Sequence, residues 1–318
     1  ATIETIKAIV PHLNADSLEI VQVLNYQCIV RKDDAYKVGE EILFIQPDTV
    51  LPDQPWAAIF KAKSNRVKAI KLRGIWSEGI VLRPNAVDLP YGASGEVSHL
   101  IGVTKYEAPQ PQDLQAKGGL PFGLPITDEE RYNNIDPLPY GEIVTVTLKR
   151  DGKSWTGYAI EQNGVWFTGI CGRRLEYKLD AINDYTRFQH VLTPLLNLAQ
   201  ANNVSLAVRG EITGAGIQAF AKNPHANGAK ELRLFSTYLV NERMYAGTTN
   251  PFHYDNIVHL LGVASIEAIE RNVILTPELI KKYAEDLTEI NGLPFEGVVI
   301  KGRDFSFKVI NKTYDSKK

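Results

Sequence analysis

From Thr2 to about residue 106, apolar positions come in short runs without helical spacing. Thr2 to Ile9, Leu18 to Val23, Gln27 to Arg31, Glu41 to Ile45, Ser64 to Leu72 and Gly79 to Leu82 read as strands. Turn clusters such as Lys32-Asp33-Asp34 and Val38-Gly39 separate them. Closely spaced short strands predict a small β-barrel over residues 1–106. Glu107 to Gln112 is polar and proline-rich, and Gly118 to Pro125 is glycine- and proline-rich, so residues 107–125 read as a linker. Thr127 to Asn134 reads as a helix with Thr127 as N-cap and Glu130 completing a capping box. Beyond it, Ile143 to Thr147, Thr156 to Glu161, Val165 to Ile170, Val204 to Val208, Leu232 to Val240, Glu296 to Lys301 and Ser306 to Ile310 read as strands. Asp184 to Ala201 places Tyr185, Phe188, Leu192, Leu195, Leu196 and Ala199 at helical spacing. Pro277 to Glu289 is a further helix, capped by Thr276. The pattern predicts an α+β chain: a strand-rich domain, a linker, and a second domain over 126–318 of antiparallel sheets with flanking helices.

Composition narrows this little. The chain has 318 residues, enough for two cores, and a formal net charge of −2. Nucleic-acid binding, if present, must rest on a local cluster of cations. Cys28 and Cys171 lie far apart in apolar surroundings, which argues against a disulfide scaffold or a cysteine-ligated metal. No apolar run approaches membrane-spanning length, so a cytoplasmic protein with no membrane partner is expected.

Local chemistry adds more. Lys61, Lys63, Arg66, Lys68, Lys71 and Arg73 occur with no acid among them, and Trp76 follows. Strand parity would line basic side chains along one groove, with Trp76 as a stacking face for a base. The plain alternative is an edge strand guarded by lysines. Pro11-His12-Leu13-Asn14-Ala15-Asp16-Ser17-Leu18 and Lys71-Leu72-Arg73-Gly74-Ile75-Trp76-Ser77-Glu78-Gly79 resemble the two signatures of the OB-fold tRNA-binding domains appended to some aminoacyl-tRNA synthetases. In those motifs Asn14, Asp16, Gly74 and Gly79 are expected to shape turns and bulges.

The strand Ile143 to Thr147 runs into Leu148-Lys149-Arg150-Asp151-Gly152. On a strand Lys149 and Asp151 share a face, and Gly152 allows a sharp turn close to a ligand. An ordinary Asp-Gly turn explains the tetrapeptide equally well. Other strand ends carry Cys171-Gly172-Arg173-Arg174, Arg209-Gly210-Glu211, Phe235 and Tyr238, Glu296 with Lys301, and Lys308.

In that order these segments resemble the covalent nucleotidyltransferase superfamily of DNA ligases, RNA ligases and capping enzymes. Lys149 to Gly152 matches its K-x-D-G motif. Arg209 to Gly214 resembles GE-x-x-G, Glu296 to Lys301 resembles EG-h-V-h-K, and Lys308 resembles the final lysine motif. Gly214-Ala215-Gly216-Ile217-Gln218, the Thr127 to Asn134 segment and the leading OB module are similar to the Deinococcus-type ATP-dependent RNA ligases. The match departs at Leu148, at Lys153-Ser154, and at Ile310, where Lys312 stands in for a second lysine.

The resemblance implies a nucleotidyltransferase (ATP-grasp-like ligase) second domain. Lys149 would be the nucleophile that carries AMP, with Lys301 and Lys308 as catalytic cations that, together with a bound metal, also lower its pKa. Leu148, Arg150, Asp151, Gly152, Arg173, Arg174, Glu211, Glu296 and Lys312 would line the nucleotide, and either Phe235 or Tyr238 would stack on adenine. Glu211 and Glu296 would hold Mg2+ or Mn2+, and Gln218 would touch nucleic acid. The implied activity is ATP-dependent joining of 5′-phosphate and 3′-hydroxyl ends in nicked duplex RNA or RNA/DNA, by a monomer. A GTP-using capping enzyme and a non-catalytic RNA-binding protein remain as alternatives.

Overall fold

The computed structural model describes residues 1–61, 65–87, 89–106, 113–121, 123–220 and 222–315. Backbone packing divides the chain into two units. One comprises Ala1–Gln110, Tyr132–Leu138 and Asp315; the other comprises Pro111–Arg131 and Pro139–Tyr314.

The first unit is built from β1 (Thr2–Thr5), β2 (Ala8–Pro11), β3 (Leu18–Val23), β4 (Tyr26–Arg31), β5 (Glu41–Ile45), β6 (Thr49–Val50), β7 (Ile70–Leu72), β8 (Ile75–Ser77), β9 (Ile80–Leu82), the short helix α1 (Ser98–Ile101) and β10 (Thr104–Lys105). They form antiparallel sheets in the orders β1-β5-β9 and β2-β3-β4, with β10-β6 and β7-β8 as pairs. β5 is apolar without alternation because both its faces are covered. Ile42 and Phe44 pack with Val21, Tyr26 and Cys28, while Leu43 and Ile45 pack with Leu51, Val97 and Ile101. The first signature region is structural: His12 Nε2 reaches the Leu72 carbonyl (3.2 Å) and Asn14 Nδ2 donates to the Arg73 carbonyl (2.9 Å). Ser77 Oγ accepts the Ile29 amide (2.9 Å). A Cβ on Gly79, at φ 107°, would lie 2.7 Å from the Ile45 carbonyl oxygen, so no other residue fits there. The expected strand Ser64 to Leu72 shortens to β7, and Ser64 lies outside the described residues.

The expected helix Thr127 to Asn134 does not form; only a 3₁₀ turn, Tyr132–Asn134, is present. Tertiary partners claim two of its acids and a backbone carbonyl. Asp128 takes Lys308, Glu129 takes the Ser306 hydroxyl, and the Glu130 carbonyl takes the Lys308 amide. Asn133 is buried in the first unit, donating to the Asn25 carbonyl (3.0 Å), and Tyr26 donates to Asn134 (2.5 Å).

The second unit holds two sheets. Its strands are β11 (Ala116–Gly119), β12 (Ile143–Lys149), β13 (Lys153–Gln162), β14 (Val165–Cys171), β15 (Leu175–Tyr177), β16 (Leu206–Thr213), β17 (Glu231–Leu239), β18 (Met244–Tyr245), β19 (Ala264–Ser265), β20 (Ala268–Ile274), β21 (Glu289–Ile290), β22 (Leu293–Pro294), β23 (Gly297–Lys301) and β24 (Ser306–Ile310). The larger sheet runs β11-β15-β14-β13-β16-β17-β18 with β19 beside β17; the smaller runs β20-β12-β23-β24. Strand alternation gives the larger sheet two apolar faces. Trp155, Ala159, Val208 and Leu234 bury one face under α2 (Leu192–Asn202) and α3 (Tyr254–Leu261). Tyr158, Ile160, Ala207 and Tyr238 line the other.

The helix expected over Asp184 to Ala201 is a 3₁₀ segment, Thr186–Val191, leading into α2. Pro194 lacks an amide hydrogen and is tolerated only in a first α-turn, which sets where α2 starts. The helix capped by Thr276, whose Oγ1 accepts the Leu279 amide (3.2 Å), is α4 (Pro277–Lys281), and it widens into a π-turn over Lys282–Asp286. The chain continues into α5 (Lys312–Asp315). Among the described residues no helix is long and apolar enough to cross a membrane.

Candidate active site

In the smaller sheet Lys149, the last residue of β12, lies opposite Gly297 at the start of β23. That register puts Lys149 beside Glu296, and its Nζ donates to Glu296 Oε2 (2.6 Å). The chain then turns at Gly152 into β13 of the larger sheet. A Cβ there would stand 2.3 Å from the Ile212 carbonyl oxygen and 2.8 Å from Glu211 Cγ, so glycine is required for this close approach. β13 pairs Ser154 with Glu211, which brings the second acid to the same turn. Asp151, buried, completes the group of acids around Lys149.

The electrostatics follow from one ammonium among several acids. Burial pushes the Glu211 carboxyl up to about 8; Lys149 pulls it back, while Glu296 and Asp151 push it further. Burial disfavours the charge on Lys149, but Glu296, Glu211 and Asp151 outweigh it, and its pKa lies above the ordinary lysine value. The lysines expected to depress it together with a bound metal do not do so by themselves: the acids dominate. Burial lowers Lys308, against Asp128 and aided by Lys149 and Arg131. Burial lowers Lys301 to about 8, with Glu129 and Asp255 opposing. Lys301 Nζ donates to the Phe235 carbonyl and lies 4.3 Å from the centre of the Tyr254 ring.

Other expected residues divide. Arg173 donates to Asp128 Oδ2 (3.1 Å), the acid that also holds Lys308 (2.9 Å), and half-buried Arg174 follows it. Gln218 Nε2 reaches the Gly152 carbonyl (3.3 Å), so it borders the lysine turn. Lys312 donates to Glu285 (2.7 Å) and is 6% exposed. β17 is bulged at Phe235, since Arg209 pairs with Ser236 and Gly210 with Leu234. Phe235 is half-buried, whereas Tyr238 is enclosed, edge-on to Tyr245 and under the Arg209 guanidinium.

Leu148 and Arg150 alternate to the side of β12 away from Lys149. Arg150 is not disposed as a nucleotide ligand. Its Nε donates to Glu267 (3.1 Å) and its Nη2 to the same carboxylate, while Nη1 donates to Thr213 (3.0 Å) and Glu231. The Leu148 amide donates to the Glu267 carbonyl (2.8 Å).

Sequence reasoning did not single out Arg131, Asn223 or Tyr314. Arg131 bridges β24 at Lys308, Asn223 Nδ2 donates to the Asp151 carbonyl (2.9 Å), and Tyr314 faces the Asp151 carboxylate. Arg131 sits in the acidic segment read as a helix start; the other two lie in no periodic run and no motif.

In the first unit the basic stretch is less open than its sequence. Lys61 pairs with Asp53 (3.2 Å), and Arg66 pairs with Asp48 (2.5 Å) and covers the Tyr106 ring. Lys63 lies outside the described residues. Trp76 is 8% exposed, with Lys71 Nζ 5.3 Å from the ring centre, so the free stacking face expected of it is absent. Lys68, Lys71 and Arg73 are exposed.

The comparisons fit this architecture. A family model described as an OB-fold domain matches residues 1–84, the fold expected of the first unit. No curated protein matches the sequence. Among solved structures, an RNA ligase of Naegleria gruberi, a lysine-to-alanine mutant with ATP and manganese, superposes with a TM-score of 0.84 at 26% identity, covering 100% of this chain and 98% of that one. The chain shares its fold, end to end, with an RNA ligase. The same ligase with pyrophosphate gives 0.83 at 26% over 99% and 97%, and a lysine-to-methionine mutant with AMP and manganese gives 0.82 at 25% over 100% and 98%.

Proposed function

We propose that the protein is an ATP-dependent RNA ligase of the Deinococcus type that works through a lysyl-AMP intermediate on Lys149. The observation that carries this reading is the gathering of Glu211, Asp151 and Glu296 around one lysine at a turn that only Gly152 permits. The full-length likeness to a ligase solved with ATP, AMP and pyrophosphate supports it.

In the first step Lys149 Nζ attacks the α-phosphorus of ATP. The N–P bond forms, the bond to the bridging oxygen breaks, pyrophosphate leaves and Nζ loses a proton. Lys301 and Lys308 offset the charge on the phosphate oxygens. Phe235, the aromatic that keeps exposure, stacks on adenine, and Arg173 and Arg174 serve phosphate or ribose. AMP then passes to a 5′-phosphate, and a 3′-hydroxyl displaces it to seal the strand.

The acids fit a magnesium or manganese ion. Glu211, Glu296 and Asp151 outnumber the lysine they surround, and such ions take one or two carboxylates and keep their waters. Among the described residues no group of three or more His, Cys, Asp and Glu side chains could hold a metal ion, so at most two carboxylates would take it, with phosphate oxygens and water as its other ligands. Bound at Glu211 and Glu296, the ion would withdraw the negative charge that keeps Lys149 protonated.

Incubation with α-labelled ATP and Mg2+ or Mn2+ should label the protein, and Lys149→Ala should remove the label. Label that persists in Lys149→Ala, or that appears only with GTP, sinks the reading. Nicked duplexes with RNA or DNA on each strand then define the substrate.

A further inference from the structure

Asn311 and Tyr314 belong to none of the motifs, yet they are tied firmly to the site. Asn311 is fully buried. Its Nδ2 donates to the carbonyls of Tyr283 (3.2 Å) and Leu287 (2.6 Å), and its amide donates to the Glu296 carbonyl (2.9 Å). Its side-chain oxygen accepts the Tyr314 amide (3.0 Å). These bonds fix α5, and with it the ring of Tyr314, which is 3% exposed and edge-on to Phe220 at 5.3 Å. The Tyr314 hydroxyl lies 3.3 Å from Asp151 Oδ2.

The same turn is held from its other side. Asn223 and Gln218 donate to the carbonyls of Asp151 and Gly152, and Phe220 lies between these two in the chain. One loop thus grips the backbone of the lysine turn while α5 addresses its carboxylate. The choice of a phenol has a chemical reason. A lysine or arginine at this place would pair with Asp151 and cancel its charge. A tyrosine donates a hydrogen bond and leaves the charge in place. An O···O distance of 3.3 Å is long for a full bond, and such contacts commonly tighten once a site is loaded.

We propose that Tyr314 is a positioning residue for the nucleotide and metal site: it holds the Asp151 carboxylate facing the position of the metal ion and its waters. The inference rests on the ligase reading. Tyr314→Phe removes the hydroxyl and keeps the ring against Phe220. Two readouts are needed. Metal binding without turnover is followed through the rise in melting temperature on titrating Mn2+ with ATP into the Lys149→Ala background, which takes no label. Labelling by ATP is followed in the Lys149 form at limiting and saturating Mn2+. Loss of an outer-shell partner commonly costs about 10–100-fold in metal affinity or activity. Tyr314→Phe should raise the Mn2+ midpoint about 10-fold and slow labelling about 10-fold at limiting metal, with recovery at saturation. An unchanged midpoint overturns the proposal, as does a labelling loss that saturating metal does not relieve. Wild-type protein that takes no label brings down the ligase reading and this inference together. Labelled wild type with a Tyr314→Phe variant indistinguishable from it sinks the Tyr314 role alone.

Discussion

Lys149 and Arg150 are neighbours in sequence and occupy opposite electrostatic settings. Lys149 meets three acids, Glu296, Glu211 and Asp151, at a position that is partly open. Arg150 is 6% exposed and uses its whole planar fork: two nitrogens on Glu267, and the third on Glu231 and Thr213. Arg233 also pairs with both of those acids, so charge on that side is balanced within the protein. The contrast explains how one turn both anchors and reacts. A guanidinium satisfied from several directions holds the end of β12 to the larger sheet. The ammonium beside Glu296 is the group that would exchange a neighbour for a metal ion or a phosphate.

The largest expected effect breaks the anchored side. Arg150→Met leaves Glu231 and Glu267 with Arg233 as their one remaining cation among the described residues and removes the buried fork between them. Removing one member of a buried pair costs ~3–5 kcal/mol. Glu231 and Glu267 are 43% and 37% exposed, so water offsets part of the loss. A loss of about 2–4 kcal/mol is expected, read as a lower urea midpoint with unchanged slope. An unchanged midpoint would mean that Arg150 anchors nothing.

The reactive side should behave in the opposite way. Glu211 has a folded-state pKa of about 8, above the ordinary carboxylate value. A raised acid contributes its stability below the unfolded pKa, and that stability is lost as pH rises through the folded pKa. Ionised Glu211 is therefore a stability cost that grows from about pH 4.5 and levels off above about pH 8. Glu211→Gln should abolish labelling yet raise the melting temperature by a few degrees at pH 9, with the gain shrinking towards pH 5. A gain of equal size at both pH values would detach it from this carboxyl.

The settings of Lys149 and Arg150 were legible in the sequence to different depths. Lys149, Glu211 and Lys308 sit on strands and Glu296 directly before one; the resemblance to the nucleotidyltransferase motifs grouped them, and the structure brings Glu211 and Glu296 to the turn that follows Lys149. The role of Arg150 was not legible, because a motif gives its position without its partners. Glu231 and Glu267 come from β17 and the start of β20, and β20 itself was not anticipated. The segment Thr127 to Asn134 was misread for a related reason. Its helix-start composition is genuine, but Lys308, Arg173 and Ser306 compete for Asp128 and Glu129, and Glu130, the capping-box acid, takes the Arg131 amide instead. Tyr314 carried no local signal, since a single aromatic beyond the last strand has neither period nor motif. In the first unit the basic run was legible as charge, while Asp48 and Asp53, which neutralise part of it, became partners only on folding.

That last difference gives the smallest effect and the sharpest use of the comparison. Cations with partners in the protein should matter to the fold, and exposed ones to a polyanion. Lys68, Lys71 and Arg73 are exposed, whereas Lys61 and Arg66 are paired. If the first unit holds nucleic acid, replacing Lys68, Lys71 and Arg73 together by alanine should weaken binding to a nicked RNA duplex several-fold at low salt. Each lost phosphate contact should also flatten the slope of log affinity against log salt by ~0.7–0.9. Arg66→Ala should leave that slope nearly unchanged, because Asp48 already occupies its guanidinium and little phosphate contact is given up. Titrations of both variants across a range of salt concentrations measure this directly. A flattened slope in Arg66→Ala with an unaltered slope in the triple variant would reverse the assignment, and the nucleic-acid face would then have to be sought around Arg66 and Tyr106.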